Sequence, residues 1–371
     1  MKYDLVIDAR MITHSGIGTY LQNLLPGIVP YFRTALMAPP EKLAPFSWTQ
    51  NTAIIPLKAS IYDPKEHWQL FRKTPPTRLF WSPHFNAPLL PVPAKRRLVT
   101  IHDVFHMAHK DLFPWYQRGY AYILLKNAVQ RSQHILTVSH FSQTEIHRWL
   151  RVPKEKITVI HNGIDHSHFK PLPPGACETT RLQYQLPRLF FLFVGNLKPH
   201  KNLSGLLKAF HRIAPKLPEW HLVVLGKIEG FVTPDATSQA LLQQLPGISS
   251  RVHFLGSVPY TLLPHFYNLA SIFVFPSYYE GFGLPPLEAM ACGCPVVASN
   301  AASITEVCQD AALYFDPHST EEMAQQLLAL ATSPHLQRFF KEKGKKHASM
   351  FTWGKTRNVT RSLIAQLLAD L

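Results

Sequence analysis

The segment Ser271–Val297, SIFVFPSYYEGFGLPPLEAMACGCPVV, contains the pattern that decides the fold. Its apolar run Ile272–Phe275 is too short for a helix and rich in residues that favour strands, so it predicts a buried strand. Gly281 and Gly283 permit backbone conformations closed to other residues. Pro285-Pro286 suits a first helical turn, where the missing N–H groups would be unpaired anyway. A strand, a glycine turn and a helix in this order predict one unit of a parallel α/β sheet.

The same segment places two carboxylates around the predicted turn. Glu280 precedes both glycines, and Glu288 is predicted within the first turn of the helix. Helix N-termini favour anions, and glycine lets a ligand approach the backbone, so we interpret the segment as an anion-binding site. A dipole partner or half of a capping box is the structural alternative. A glycosidase pair would need carboxyl groups about 5 to 9 Å apart, which sequence spacing cannot establish.

Short apolar runs alternate with longer amphipathic stretches along the whole chain. This alternation predicts doubly wound parallel sheets covered on both faces. A second glycine element, Ser15–Gly18, follows the first run and is either a tight turn or a phosphate loop. The predicted strands are Leu5–Ile7, Thr34–Met37, Leu79–Trp81, Leu98–Ile101, Ile135–Val138, Ile157–Ile160, Leu189–Val194, His221–Leu225, Val252–Leu255, Ile272–Phe275, Val296–Ala298 and Leu313–Phe315.

The length of 371 residues predicts two domains, because domains usually hold about 100 to 200 residues. The proline-rich stretch Phe169–Gly175 is taken as the start of the linker, which gives domains at 1–175 and 176–352. Apolar residues spaced as on one helix face predict a terminal helix within 353–371. Ligands of such sheets bind beyond the carboxyl ends of the strands, so a site in a cleft between the halves is expected.

The net charge of +15 favours anionic partners: sugar nucleotides, nucleic acid or an acidic membrane face. Residues 115–131 have a helical pattern with aromatic and basic residues. In the preferred interpretation Tyr122, Leu124 and Leu125 face the core, and a membrane-surface helix is the alternative. Basic runs at 95–97 and 341–346 would suit nucleic acid, but no recognisable motif accompanies them, so no specific nucleic acid is expected.

The four cysteines do not form a disulfide framework, and no signal peptide precedes the first predicted strand, so a cytoplasmic setting is expected. Cys292 and Cys294 lack the second ligand pair that zinc needs, and we expect them to be buried packing residues. No Asp-x-Asp is present, which favours a metal-free site, and no cofactor is expected.

Glu280 and Glu288, with seven residues between them, resemble the Glu-x7-Glu signature of retaining nucleotide-sugar glycosyltransferases of family four (glycosyl transferases group one), and the chain looks mannosyltransferase-like. The resemblance implies the α/β GT-B fold, with two doubly wound Rossmann-like domains facing across a cleft and the helix at 353–371 crossing back to the N-terminal domain. Further blocks similar to the family are Asp8–Arg10 with Ser15–Gly18, Thr100–Asp103, Thr137–Ser139, Val159–Asp165 and Phe193–Asn202.

The resemblance implies three catalytic residues: Lys201 holding the donor diphosphate, Glu280 contacting the donor sugar's hydroxyls, and His102 near that sugar. Glu288 would bind the ribose hydroxyls. Carboxylates suit both roles because they only accept hydrogen bonds. A lysine at a helix start opposes the dipole unless an anion is present, and an exposed helix-start lysine is the alternative. For His102, a general base and a capped loop residue remain alternatives.

Backbone N–H groups of 282–284 (Phe282, Gly283, Leu284) are implied to bind the sugar or diphosphate, with Gly16 closing the opposite side. One position departs from the family. Many members carry arginine where this chain has Asn196, and Lys198, Arg10 or backbone N–H groups would have to supply the second phosphate contact.

These features predict a retaining, metal-independent hexosyltransferase that moves a hexose, with mannose as the first choice, from a GDP- or UDP-sugar to a glycan or lipid-linked acceptor in cell-surface polysaccharide synthesis. The N-terminal domain is expected to bind the acceptor, and a peripheral contact with the acidic inner face of the membrane stays open. A sugar phosphorylase or epimerase of the same fold is one alternative. A basic nucleic-acid- or membrane-binding protein with a degenerate sugar-nucleotide cleft is the other.

Overall fold

A computed structural model describes residues 1–63, 65–109, 112–226 and 241–371. The chain forms two compact units, one of Met1–Gly163 with Thr352–Leu371 and one of Ile164–Phe351. The division comes earlier than the predicted linker because the residues after Gly163 are bonded within the second unit. Leu172 N donates to Asn268 Oδ1 at 2.8 Å, and the His168 ring stacks on Tyr260 with centroids 4.5 Å apart.

In its described residues, the first unit has a seven-stranded sheet in the order β3-β2-β1-β4-β5-β6-β7, and every pair of neighbours is parallel. Helices connect most of these strands, and β4 is joined to β5 by a segment, 83–93, that contains no helix. The strands are β1 Tyr3–Asp8, β2 Thr34–Ala38, β3 Ala53–Pro56, β4 Thr77–Ser82, β5 Ala94–Thr100, β6 His134–Thr137 and β7 Ile157–Val159. The helices are α1 Ser15–Leu24, α2 Pro40–Leu43, α3 Glu66–Lys73, α4 Phe105–Ala108, α5 Trp115–Arg131 and α6 His140–Leu150.

The described part of the second unit has a six-stranded sheet in the order β10-β9-β8-β11-β12-β13, also parallel throughout. The strands are β8 Leu189–Val194, β9 Trp220–Leu225, β10 Val252–Gly256, β11 Ile272–Phe275, β12 Val296–Ser299 and β13 Leu313–Phe315. The helices are α7 Glu178–Gln183, α8 Leu203–Ile213, α9 Leu263–Leu269, α10 Leu284–Ala291, α11 Ile304–Cys308, α12 Thr320–Thr332 and α13 Pro334–Ala348.

The predicted terminal helix forms as α14, Trp353–Ala369, and is grouped with the first unit. Its buried face, which includes Trp353, Ile364 and Leu368, joins the core that surrounds β1 and α1. Gly163 permits this packing, because a Cβ at that position would lie 2.1 Å from the Trp353 backbone nitrogen.

Each predicted strand is present, so the doubly wound α/β class is confirmed. Strand β3 was not predicted, because it lies at the sheet edge, alternates half-buried with exposed positions and ends in proline. The prediction of a glycine loop at Ser15–Gly18 is wrong, because these residues form the first turn of α1. On α5, Leu124 and Leu125 are buried as predicted, but Tyr122 is 44% exposed.

Both sheets reverse their strand order beside their first strand, between β1 and β4 and between β8 and β11. Ligands of open α/β sheets bind beyond the carboxyl ends of the strands at such a reversal. In the second unit we therefore expect a ligand near the residues that follow β8 and β11. Within the described ranges, no helix is long and apolar enough to cross a membrane.

Candidate functional site

A cation and a carboxylate meet where the second sheet reverses. Lys201 follows β8, Glu280 follows β11, and Lys201 Nζ lies 2.5 Å from Glu280 Oε1. Their side chains are only 17% and 14% exposed. Lys201 Nζ also lies 5.6 Å from the centroid of the Phe275 ring, within the range of a cation–π contact. The fold thus brings together two of the three predicted catalytic residues, which are 79 positions apart in the chain.

Asn202 fixes the position of Lys201. Residues Pro199–Lys201 form a short 3₁₀ turn, and Asn202 then takes the left-handed conformation, φ 55°, as N-cap of α8. Its Oδ1 accepts from Gly205 N at 3.2 Å, and its Nδ2 donates to the Pro317 carbonyl at 2.9 Å. The helix start predicted near Asn202 is confirmed, and the cap holds Lys201 next to the carboxyl edge of the sheet.

Gly283 makes the second turn possible. It has φ 99°, a left-handed conformation that glycine adopts without steric cost, and it is the N-cap residue of α10. Ser303 Oγ lies 2.9 Å from the carbonyl oxygens of both Glu280 and Phe282 and serves them as a shared donor. Leu284 begins the helix, and because Pro285 and Pro286 carry no N–H group, Leu284 supplies the only backbone donor among the first three helical residues.

Glu288 lies deeper in α10 than predicted. The helix begins at Leu284, so Glu288 is its fifth residue, beyond the first turn. Its side chain is buried and accepts a hydrogen bond from the Tyr267 hydroxyl, with 3.0 Å between Oε2 and the hydroxyl oxygen. Burial raises the pKa of Glu288 to about 7, and the bond from Tyr267 opposes that increase. Tyr267 was not predicted as a partner of Glu288, because nothing in the pattern of α9 indicates which of its residues faces α10.

Asn196 and Lys198 lie in the turn between β8 and the 3₁₀ segment, and Lys198 N donates to the Asn196 carbonyl at 2.8 Å. Both are half-buried. Asn196 carries no charge, so Lys198 and Lys201 are the cations of this turn.

His102 and Gly16 belong to the first unit. His102 Nε2 lies 3.1 Å from the Pro83 carbonyl oxygen, and its ring meets Tyr20 edge-on with centroids 4.9 Å apart. A carbonyl can only accept, so Nε2 carries the proton and Nδ1 is the acceptor of the neutral ring. Burial lowers the pKa of His102 and so favours that neutral form. Gly16 lies in the first turn of α1, where an added Cβ would meet nothing within 4 Å. The packing of the first unit therefore does not require glycine at this position.

The four cysteines are all buried, as predicted for Cys292 and Cys294. The basic run at 341–346 is partly neutralised: Lys343 Nζ lies 2.8 Å from Asp310 Oδ2, and Lys345 Nζ lies 2.8 Å from Glu342 Oε2. These ion pairs reduce the positive charge available to a polyanion.

Comparisons with known proteins show the family to which the chain belongs. The family profile for glycosyl transferases group 1 matches residues 181–347, and that for glycosyltransferase family 4 matches residues 56–168. The O-antigen chain mannosyltransferase B of Escherichia coli is 32% identical over 279 residues, which are 74% of this chain and 71% of the relative. The O-antigen chain mannosyltransferase RfbU of Salmonella typhimurium is 31% identical over 245 residues, 65% of this chain and 61% of the relative. The match to serotype-specific mannosyltransferase WbdA of Escherichia coli covers 36% of that longer protein.

Two solved structures have the same fold. Sucrose-phosphate synthase from Thermosynechococcus elongatus aligns with a TM-score of 0.78 and 19% identity over 99% of this chain and 100% of that one. Anabaena HepE, solved in complex with UDP-glucose, aligns with a TM-score of 0.77 and 18% identity over the whole of both chains.

Two Rossmann-like parallel sheets, together with these structural neighbours, define the GT-B fold. The chain belongs to the group 1 glycosyl transferases of family four, and the predicted hexosyltransferase class is confirmed.

Proposed function

We propose that the chain is a retaining, metal-independent mannosyltransferase that uses a nucleotide-activated donor, with GDP-mannose as the first choice, and acts in cell-surface polysaccharide synthesis. The observation that carries the proposal is the Lys201–Glu280 pair, 2.5 Å apart at the strand-order reversal of the second sheet. The choice of mannose is supported by the relatives, whose names include O-antigen chain mannosyltransferases. A UDP-hexose is the second choice of donor.

In this proposal the second unit binds the donor. The Lys201 ammonium binds the diphosphate, assisted by Lys198 and by the N–H groups of Gly283 and Leu284, because these groups offset the charge that develops on the leaving group. Lys201 then exchanges part of its contact with Glu280 for the phosphate, and the Glu280 carboxylate becomes available to the sugar's hydroxyl groups. Ionised Glu288 accepts hydrogen bonds from the ribose. The diphosphate needs no metal if these groups supply its cations and donors, and no cofactor takes part.

The chemical step breaks the bond between the anomeric carbon and the diphosphate oxygen and forms a bond from an acceptor hydroxyl oxygen to the same carbon. We propose that the new bond forms on the face that the leaving group occupied, so that configuration is retained. The leaving phosphate takes the acceptor's proton. Glu280 and His102 position the sugar and move no proton in this scheme. The neutral His102, with Nδ1 as acceptor, suits such a contact.

The first unit binds the acceptor, a glycan or a lipid-linked saccharide. Gly16, which the resemblance assigns to the donor and not to the acceptor, lies where the packing itself leaves room for a larger residue. Gly18 has no such room, since a Cβ added at that position would lie 2.7 Å from the Ile12 carbonyl oxygen. Gly16→Ala should therefore fold normally and lose activity, whereas Gly18→Ala should destabilise the unit. We propose that the enzyme works in the cytoplasm and reaches a lipid-linked acceptor at the membrane surface.

The test is nucleotide release by the purified protein offered GDP-mannose, GDP-fucose, UDP-glucose, UDP-galactose and UDP-N-acetylglucosamine singly. Release from one donor should disappear in Lys201→Met and in Glu280→Gln. Lys208, an exposed lysine of α8, provides the matched control in Lys208→Met, which should keep full activity. Undiminished release in both site variants would refute the assigned roles. Release from a UDP-sugar alone would refute the choice of GDP-mannose.

Two further measurements test the finer claims. Activity should survive excess EDTA, and NMR of the product should show the anomeric configuration of the donor. Loss of activity on chelation that is restored by a divalent cation would refute the metal-independent scheme, and an inverted product would refute retention.

A further inference from the structure

Two exposed tyrosines of the first unit lie against each other near the carboxyl edge of its sheet. Tyr62, in the segment between β3 and α3, is 53% exposed, and Tyr120 of α5 is 39% exposed. Their ring centroids are 6.5 Å apart and the ring planes are inclined at 63°. The two rings therefore meet edge to face. Neither ring is fully buried in a hydrophobic core, so core packing does not explain why the two rings lie together.

A buried charged network fixes Tyr62. Its φ is 68°, a left-handed conformation that is uncommon for a residue with a bulky side chain. The conformation is held by Tyr62 N donating to Glu66 Oε1 at 3.0 Å. Glu66 is fully buried and in turn accepts from Arg10 Nη1 at 2.8 Å and from Asn86 Nδ2 at 2.7 Å. Backbone strain of this kind persists where the surroundings over-determine it, as at ligand sites.

The network lies at the edge of the sheet where ligands bind in this fold. Arg10 follows β1, Asn86 follows β4, and Asp103 follows β5, and the carboxyl ends of these parallel strands lie along one edge. The Tyr62 residue as a whole is 53% exposed, but partial burial of its hydroxyl, together with the acidic groups of Glu66, Tyr120 and Asp103, raises the pKa of that hydroxyl to about 12. The hydroxyl of Tyr62 can therefore both donate and accept hydrogen bonds near neutral pH.

These groups match the chemistry of a neutral sugar. The apolar face of a pyranose ring covers an aromatic ring, whose face carries partial negative charge, and the sugar's hydroxyls donate to carboxylates and exchange hydrogen bonds with tyrosine hydroxyls. An anionic lipid surface matches them less well. Asp103 would repel its head groups, and Lys126 of α5 is directed to the Leu150 carbonyl at 3.3 Å.

We propose that Tyr62 and Tyr120 form a stacking platform for a neutral sugar residue of the acceptor glycan. The inference deepens the proposed function, since it rests on the first unit binding a saccharide acceptor. Glu66 and Arg10 are positioning residues, because they act by holding the Tyr62 backbone.

The test measures saccharide binding without any donor, so that it does not depend on transferase activity. The probe is mannotetraose, titrated by calorimetry or ligand-observed NMR into the full chain. Tyr62→Ala and Tyr120→Ala should each weaken binding about tenfold, whereas Tyr120→Phe should retain most of the affinity because it keeps the ring. Tyr122→Ala is the matched control, since Tyr122 is a similarly exposed tyrosine of the same helix. Unchanged thermal unfolding establishes that each variant is folded.

Several results would overturn the inference: no saturable binding of mannotetraose by the wild type, equal affinity in the alanine variants, or an equal loss in Tyr122→Ala. Sedimentation with phosphatidylglycerol vesicles separates the lipid alternative. Loss of vesicle binding in Tyr120→Ala and Trp115→Ala with unchanged saccharide affinity would assign the surface to a membrane instead. Donor-dependent nucleotide release is recorded in parallel. Its absence, with platform-dependent saccharide binding intact, would refute the proposed function and leave the platform standing.

Discussion

Burial of Glu288 predicts a pH-dependent stability of α10. The pKa of this carboxyl is raised from 4.5 to about 7, which means that the folded state binds the proton more tightly than the unfolded chain. The free energy of unfolding therefore falls as pH rises from about 4.5 to about 7. At about 1.4 kcal/mol per pKa unit, the group costs about 3 kcal/mol of stability above pH 7. Glu288→Gln stays neutral throughout and should avoid this cost.

The measurement is amide hydrogen exchange over Leu284–Ala291, because a two-unit protein need not unfold in one step. Protection in Glu288→Gln relative to wild type should increase by about 3 kcal/mol between pH 4.5 and pH 8, and the intrinsic pH dependence of exchange cancels in the comparison. Tyr267→Phe removes the bond that opposes the raised pKa, so its profile should shift to higher pH. Parallel profiles for wild type and Glu288→Gln would refute the reasoning.

The same titration has a consequence for the nucleotide. If ionised Glu288 accepts the ribose hydroxyls, affinity for GDP or UDP should rise with pH through about 7 in the wild type and stay flat in Glu288→Gln. A flat wild-type profile would contradict the ribose contact while leaving the stability argument intact.

Three other predictions concern single features of the fold. Lys201→Met should destabilise the second unit by about 3 kcal/mol, because it leaves the largely buried Glu280 carboxylate unpaired. The double variant Lys201→Met with Glu280→Gln should recover more than half of that loss. Strictly additive effects in the double-mutant cycle would contradict the pairing. Gly283→Ala should lower the free energy of unfolding, measured in urea, by about 1 to 3 kcal/mol, because alanine is strained at φ 99° although its Cβ would have room. Gly119→Ala, on the exposed face of α5, should not lower it. The four cysteines should react slowly with a thiol reagent until urea unfolds the chain, because burial raises the pKa of each thiol; rapid reaction of the native protein would show an accessible thiolate.

The class of fold was predictable because it depends on local alternation. Apolar runs of strand length separated by helical patterns indicate parallel sheets whatever their order, and each predicted strand is present. Strand β3 escaped prediction because an edge strand needs little burial and so leaves a weak pattern. Glu288 lies just beyond the predicted first turn, because the helix begins directly after Gly283 and the sequence does not specify which residue takes the left-handed cap.

The sequence by itself determined the chemical inventory of the site: a lysine after one strand, two carboxylates around a glycine turn after another, and the family to which these blocks belong. Only the tertiary structure decided which groups meet. The pairing of Lys201 with Glu280, of Glu288 with Tyr267, and of Tyr62 with Tyr120 joins residues far apart in the chain. Such contacts depend on strand order and on the direction of each helix face, and local sequence patterns carry no information about either.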